Sequence, residues 1–174
     1  MFSISLRQAK IGNQIQARGE MHGEDSVTAY SIPIVGVMID DHELAALLQE
    51  PLARQALFVD RAGEMTQPLF PQLKPLQLKH KFEGGLVRIV HSIDNEEIKF
   101  TSCKIKSIKL EPQPGGLTEI SFMVNTVPTL DARAARLQGQ INHEVQIECS
   151  AELSADDAQQ DLPLNSFGEG EDDE

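Results

Sequence analysis

The sequence has no tryptophan, one tyrosine and seven phenylalanines among 174 residues. Few side chains can therefore stack on bases or sugars, and any aromatic recognition has to lean on Phe. Cysteine is almost as scarce, with only Cys103 and Cys149. Each falls on the apolar phase of an expected strand, which fits buried free thiols better than a disulfide. Nothing in that usage calls for an oxidising compartment. No apolar run approaches the roughly 20 residues that cross a bilayer, and Met1 to Lys10 lacks the basic start and long apolar stretch of a secretory signal. A soluble, cytoplasmic chain without a membrane partner is expected.

Catalytic signatures are also missing. His22, His42, His80, His91 and His143 are scattered, with no i, i+4 pair and no Cys partner, so no zinc site is expected. Asp40–Asp41 and Glu96–Glu97 are paired acids, but one pair precedes a helix and the other lies in a hairpin turn, where carboxylates are common without a metal. "FEGG" at Phe82–Gly85 lacks the spacing, Lys and Ser/Thr of a phosphate-binding loop, and no Gly-x-Ser-x-Gly elbow occurs. The reading is of a chain that is not an enzyme, with no catalytic residue, cofactor or metal.

What the sequence holds is β-pattern. Phe2, Ile4 and Leu6 alternate with polar residues, as do Ile15 and Ala17 before the turn-like "HGED". Val27 to Ile39 reads as a strand carrying Pro33, which places it at a sheet edge or bulge. "DDHELAALLQEP" reads as a short helix capped by Asp40 or Asp41, with Leu44, Leu47 and Leu48 on one face and Pro51 ending it. A brief helix around Leu52–Phe58 leads into a Pro-rich crossing segment with the character of a mobile loop. Val87, Ile89 and Ile93, then Ile98–Leu110, then Ile120, Phe122 and Val124 are joined by "DNEE" and "PQPGG" turns and form a meander. Leu130–Leu137 reads as a helix stopped by Gly139, and Val145–Leu153 as a final strand.

The expected fold is α+β, mainly antiparallel sheet, with two or three short helices. Residues 1–153 are read as one compact β-rich domain, with subdomains 1–50 and 84–153 as the finer division, and 154–174 as a disordered acidic tail. A shift of 71 residues lays Val27–Ile39 over Ile98–Leu110, apolar on apolar and with the same phase change. Partial internal duplication and chance likeness of two long bulged strands both remain open.

In "IKFTSCKIKSIKL" the apolar residues switch from even to odd positions and back, so an extra residue is expected near Thr101–Ser102 and another near Ser107. All apolar side chains then face one way, and Lys99, Lys104, Lys106 and Lys109 face the other. Lys79, Lys81 and Arg88 extend that face if a neighbouring strand lies beside it. The surface suits a phosphate backbone, bound with little sequence preference. Phe82 and Phe100 are the nearest rings for stacking, and the latter falls on the core phase. The plainer reading of the same row is a solvated strand face whose lysines discourage edge pairing.

The net charge of −12 is uneven: −8 lies from Ser154 onward with no Lys or Arg, whereas the stretch from Lys74 to Leu110 carries +4. An acidic tail on a basic surface can compete for the same groove and offer a docking peptide. Leu162, Leu164 and Phe167 would anchor it, with Glu171, Asp172 and Asp173 steering toward a basic partner. A tail that serves only solubility is the alternative. Its composition is similar to that of single-stranded-DNA-binding proteins, although those tails usually finish in a hydrophobic residue and this one ends in Glu174.

Together, "KIGNQIQARGEMHGED", "DDHELAALLQEPLARQALF", "QLKPLQLKHKFEGG" and "KIKSIKLEPQPGGLTEISFMV" resemble a group of small tailed-phage proteins of early, replication and recombination regions, over roughly Lys10–Leu153. The resemblance implies an OB-like accessory protein of DNA metabolism that binds single-stranded DNA and a replication or recombination protein, in the bacterial cytoplasm. It transfers no site residue. Two other readings stand beside it: an acidic protein that mimics DNA charge toward a host or defence protein, and a virion or assembly protein. Homo-oligomers are compatible with all three.

Overall fold

The computed structural model describes residues 2–22, 25–72, 75–91, 95–127 and 137–155. Alternation at the N-terminus forms strand β1 (Phe2–Ile11), followed by β2 (Gln16–His22) and the long β3 (Asp25–Ile39). Helices α1 (Asp41–Leu48) and α2 (Ala53–Leu57) come next, then the short strands β4 (Phe58–Val59), β5 (Gln67–Pro68) and β6 (Leu76–Gln77). The meander is β7 (Phe82–His91), β8 (Glu97–Pro112) and β9 (Thr118–Asn125). A 3-10 turn, Leu137–Gln140, precedes the last strand, β10 (Glu144–Leu153).

Six of these strands close into an antiparallel barrel in the order β1, β10, β7, β8, β9, β3. Closure is made where β3 meets β1, through Lys10 opposite Val35 and Ile11 opposite Ile34. The expected mainly antiparallel α+β fold is thus observed, with its sheet rolled into a ring. Closure removes the sheet edges that a meander alone would leave open.

Inward-facing residues from every strand of the ring fill the barrel. Phe2 stands against Phe82 with ring centroids 5.3 Å apart and against Phe122 at 6.0 Å. Ile11, Ile34, Val37, Ile105, Ile120, Val124 and Ile147 are all fully buried in the same core. Burying branched aliphatic side chains at about 25 cal/mol per Å² of apolar surface is the main drive for the ring. Beyond the seam at Lys10 and Ile11, the Arg7 guanidinium reaches across to the Met38 carbonyl and to Glu43, with Arg7 Nη1 donating to Glu43 Oε2 at 2.8 Å. Glu43 also closes a capping box with Asp40 at the start of α1. The helix buries Leu44 and Leu47 and ends at Gln49 in the left-handed conformation.

Bulges let long strands keep one face inward. Ser102 and Ser107 both have φ near 55°. The β7–β8 and β8–β9 registers shift next to them, so the two extra residues expected from the phase changes are present. Gly84, at φ 65°, takes the equivalent role in β7. Beside it, a Cβ on Gly85 would lie 3.1 Å from Ala151 Cβ and 3.2 Å from the Cys103 carbonyl oxygen. The pair bends β7 where it passes between β8 and β10. In β3 the shift falls between Ile34 and Val37, around Gly36 at φ 73°.

Gly36 and Ser107 are the positions superposed by the 71-residue shift, and β3 and β8 flank β9 from its two sides. The likeness stops there. The bulge at Ser102 has no counterpart at Ser31, and α1 follows β3 where a hairpin follows β8.

Three local expectations are corrected. Pro33 is not at an edge, since β3 pairs with β9 on one side and with β2 and then β1 on the other. Its carbonyl accepts from Gly12 N–H at 2.8 Å, so its missing N–H points to the same side, at the gap where the neighbour changes from β2 to β1. Leu6 faces outward, because the β1 register shifts between Ile4 and Arg7 and Ala9 and Ile11 take over the inner face. The Pro-rich crossing segment contains the β4–β5 hairpin, tied to the β8–β9 turn by Gly115 N–H donating to the Thr66 carbonyl at 2.8 Å, and then strand β6 on β8. Gly139 lies inside the 3-10 turn Leu137–Gln140. The helix expected over 130–137 falls outside the described residues except for Leu137, and so does the tail beyond Ala155.

Candidate nucleic-acid interface

β8 presents its lysines as the phase argument requires. Ile98, Phe100, Cys103, Ile105, Ile108 and Leu110 are buried, while Lys99, Lys104 and Lys109 are exposed and Lys106 is half-buried. The bulges therefore decide which residues meet solvent. They do not make the row uniformly positive. Lys99 Nζ lies 2.7 Å from Glu97, and Lys104 Nζ lies 2.8 Å from Glu83 on β7. Arg88, opposite Lys99 across the β7–β8 pair, bridges Glu97 at 3.0 Å and Glu148 of β10 at 3.1 Å.

These contacts shift the groups that make them. Hydrogen bonds from Lys99 and then Arg88 hold the Glu97 carboxyl below the usual glutamate range. Glu97 and then Glu148 raise Arg88 further above its already high value. This part of the face is an ion-pair lattice with its positive charge locally balanced.

The other end of β8 differs. β6 lies against it, Leu76 opposite Leu110 and Gln77 opposite Lys109, and Leu78 N–H donates to the Ile108 carbonyl at 2.8 Å. The chain then passes through Lys79 and Lys81 into β7. An open depression of about 460 Å³ results, lined by Gln77, Leu78, Lys79, Lys81, Lys106 and Ser107. Among the described residues, Lys79, Lys106 and Lys109 make no ion pair. The left-handed turn at Ser107 is what lets both Lys106 and Lys109 face outward here.

A second depression adjoins along β6, lined by Leu57, Phe70, Pro71, Pro75, Leu76, Glu111 and Pro112. Phe70 is 59% exposed, the one exposed Phe or Tyr ring among the described residues. Phe82 and Phe100, the rings expected nearest the basic face, are 1% and 5% exposed and belong to the core. They cannot stack on a base. Alternation had already placed Phe100 inward; for Phe82 the deciding fact is its ladder pair with Ile105 on β8.

Of the seven basic residues singled out, the structure therefore gathers Lys79, Lys81 and Lys106 at one depression, with Lys109 beside it. Arg88, Lys99 and Lys104 lie among glutamates. Leu162, Leu164, Phe167, Glu171, Asp172 and Asp173 fall outside the described residues. Sequence reading missed Gln77, Ser107 and Phe70 as parts of this surface, because the placement of β6 on β8 is set by tertiary pairing and not by local pattern. It also missed that His91 and His143 stack, ring centroids 6.4 Å apart, at the β7–β10 end.

The remaining chemistry is quiet. Cys103 and Cys149 are free and buried, and burial pushes both thiols up to about 12. Such thiols are poor nucleophiles. Among the described residues no group of three His, Cys, Asp or Glu side chains is placed to hold a metal ion. No helix among them is long and apolar enough to cross a membrane. No protein-family model, curated protein or solved structure matches the chain.

Proposed function

We propose that the chain is a non-enzymatic accessory protein of DNA replication or recombination that binds single-stranded DNA with little sequence preference. The observation that carries this reading is the convergence of Lys79, Lys81 and Lys106 on one open depression, with Lys109 beside it. Three or four ammonium groups along a strip a few residues long match successive phosphates of a flexible strand. Phe70, in the adjoining depression, offers a single ring for stacking. Point charges without a guanidinium fork or an amide aimed at a base edge favour backbone contact over sequence readout.

The closed antiparallel barrel is compatible with an OB-like design, an architecture used to present oligonucleotide-binding strands. The resemblance to tailed-phage proteins of replication and recombination regions points the same way. On this reading the protein acts in the bacterial cytoplasm, and its acidic segment docks a replication or recombination partner.

The test is fluorescence anisotropy of a labelled oligothymidylate with the full chain at several salt concentrations. Binding should weaken as salt rises, and Lys79→Glu with Lys106→Glu should weaken it at least tenfold. Lys99→Glu should change it less than threefold, since Lys99 sits among glutamates. Absence of binding at ~20 mM salt, where screening is weak, would end the reading. The alternative, an acidic protein that binds a basic protein partner, is favoured by the engagement of Arg88, Lys99 and Lys104 in ion pairs. It predicts that outcome.

A further inference from the structure

Ring closure leaves β2 outside the barrel. The strand pairs with β3 from Gln16 opposite Ser31 to His22 opposite Asp25, and among the described residues it pairs with no other strand. Its outer side is therefore an open row of main-chain N–H and C=O groups along a strand seven residues long. Such edges are commonly blunted by Pro, Lys or a bulge. The stretch "QARGEMH" holds neither Pro nor Lys, and its ladder with β3 runs without a register shift.

We infer that this edge joins a second copy of the chain, β2 against β2, antiparallel about a two-fold axis at Gly19. Charge selects both the partner and the register. With Gly19 opposite its own counterpart, the register sets Arg18 of each copy opposite Glu20 of the other, so that opposite charges meet twice across the ladder. Arg18 is exposed and makes no ion pair among the described residues of its own chain. Moving the axis by one residue places Arg18 or Glu20 opposite itself, and a parallel in-register pairing does so for both. Like charges oppose each of those arrangements. On the alternate phase, the register centred on Gly19 sets Met21 opposite Ala17 of the second copy. Met21 is 69% exposed in the single chain, and this contact covers it.

About seven main-chain hydrogen bonds, one per residue pair on average, join the two copies. The interface is small, so the dimer is weak and reversible. In the sheet, β9 and β3 stand between β8 and β2, and each copy keeps its lysine depression outside the new ladder. A dimer built in this way carries two depressions. The inference goes beyond the functional reading and does not rest on it, since the edge is self-complementary whichever ligand the depressions take.

The experiment is sedimentation equilibrium of the full chain from ~5 to ~500 μM, a span suited to a small interface. It should show a monomer–dimer equilibrium. Arg18→Glu alone and Glu20→Arg alone should each weaken association roughly tenfold or more, because each sets like charges opposite one another at both places. An equimolar mixture of the two variants should associate to within about threefold of the parent chain, since the acids of one then face the arginines of the other. Hydrogen exchange reads the same edge without any substitution: amides between Ala17 and Met21 should slow as the parent chain is concentrated, and the Lys106 amide should not. A chain that stays monomeric over the whole span, a dimer that both variants leave intact, a mixture that stays monomeric, or exchange in β2 that ignores concentration would overturn the inference.

Discussion

Glu97 shows how single side chains limit what the basic face can do. It accepts from Lys99 and from Arg88, and its carboxyl is held low in consequence. A carboxylate whose folded pKa is depressed adds stability above its unfolded value and loses that contribution as pH falls through the folded one. The ordinary value is 4.5, so the loss begins near there and continues below it. Replacing Lys99 and Arg88 together by Gln should lower the thermal midpoint at neutral pH and flatten its decline on the acid side, the two proteins converging once pH lies below the folded pKa of Glu97. Thermal melts from neutral pH into the acid range check it; curves that keep a constant offset at every pH would mean that ionisation of Glu97 plays no part. The same residues show the reach of sequence reading. Periodicity assigned Lys99 and Lys104 to the outer face correctly, yet it could not supply their glutamate neighbours. Those depend on which residues of β7 and β10 lie across the ladder.

Among the elements, β8 was the most legible, because its two phase changes have only one physical solution, an extra residue at each. The capped helix α1 was also legible, although the sequence left Asp40 and Asp41 both open as the cap, and the capping box with Glu43 decides for Asp40. Leu6 and Pro33 were misplaced for the opposite reason. A single inner residue before a bulge leaves too short a pattern to reveal the shift, and the safe position of Pro33 depends on β1 and β2 exchanging places beside it. Ser107 puts the β8 argument to an experiment. A non-glycine side chain in the left-handed region costs about 1–2 kcal/mol, so Ser107→Gly should be neutral or slightly stabilising in chemical denaturation, whereas Ser107→Val should cost about 1–2 kcal/mol. Deleting Ser107 removes the extra residue, turns Ile108 and Leu110 toward solvent and Lys109 toward the core, and should prevent folding. A stable deletion variant with native spectra would show that the bulge does not set the register.

For the molecule as a whole, the ring closure depended on a pairing of only two residues between β1 and β3, which no local pattern announces; the sheet type was legible and its closure was not. The same long-range view applies to charge. A net charge of −12 opposes approach of any polyanion, and salt screens that repulsion as well as the strand contacts. On the proposed reading, the salt dependence measured for the intact chain is therefore a difference: strand contacts lose affinity as salt rises, at a slope of about 0.7 per phosphate for single strands, while the repulsion fades. Neutralising the five acids from Glu169 to Glu174 reduces the opposing part. The variant should bind oligothymidylate more tightly than the intact chain at ~20 mM salt, lose affinity more steeply, and meet the intact chain by ~0.5 M. Coincident lines at every salt concentration would show that those acids do not act on strand binding.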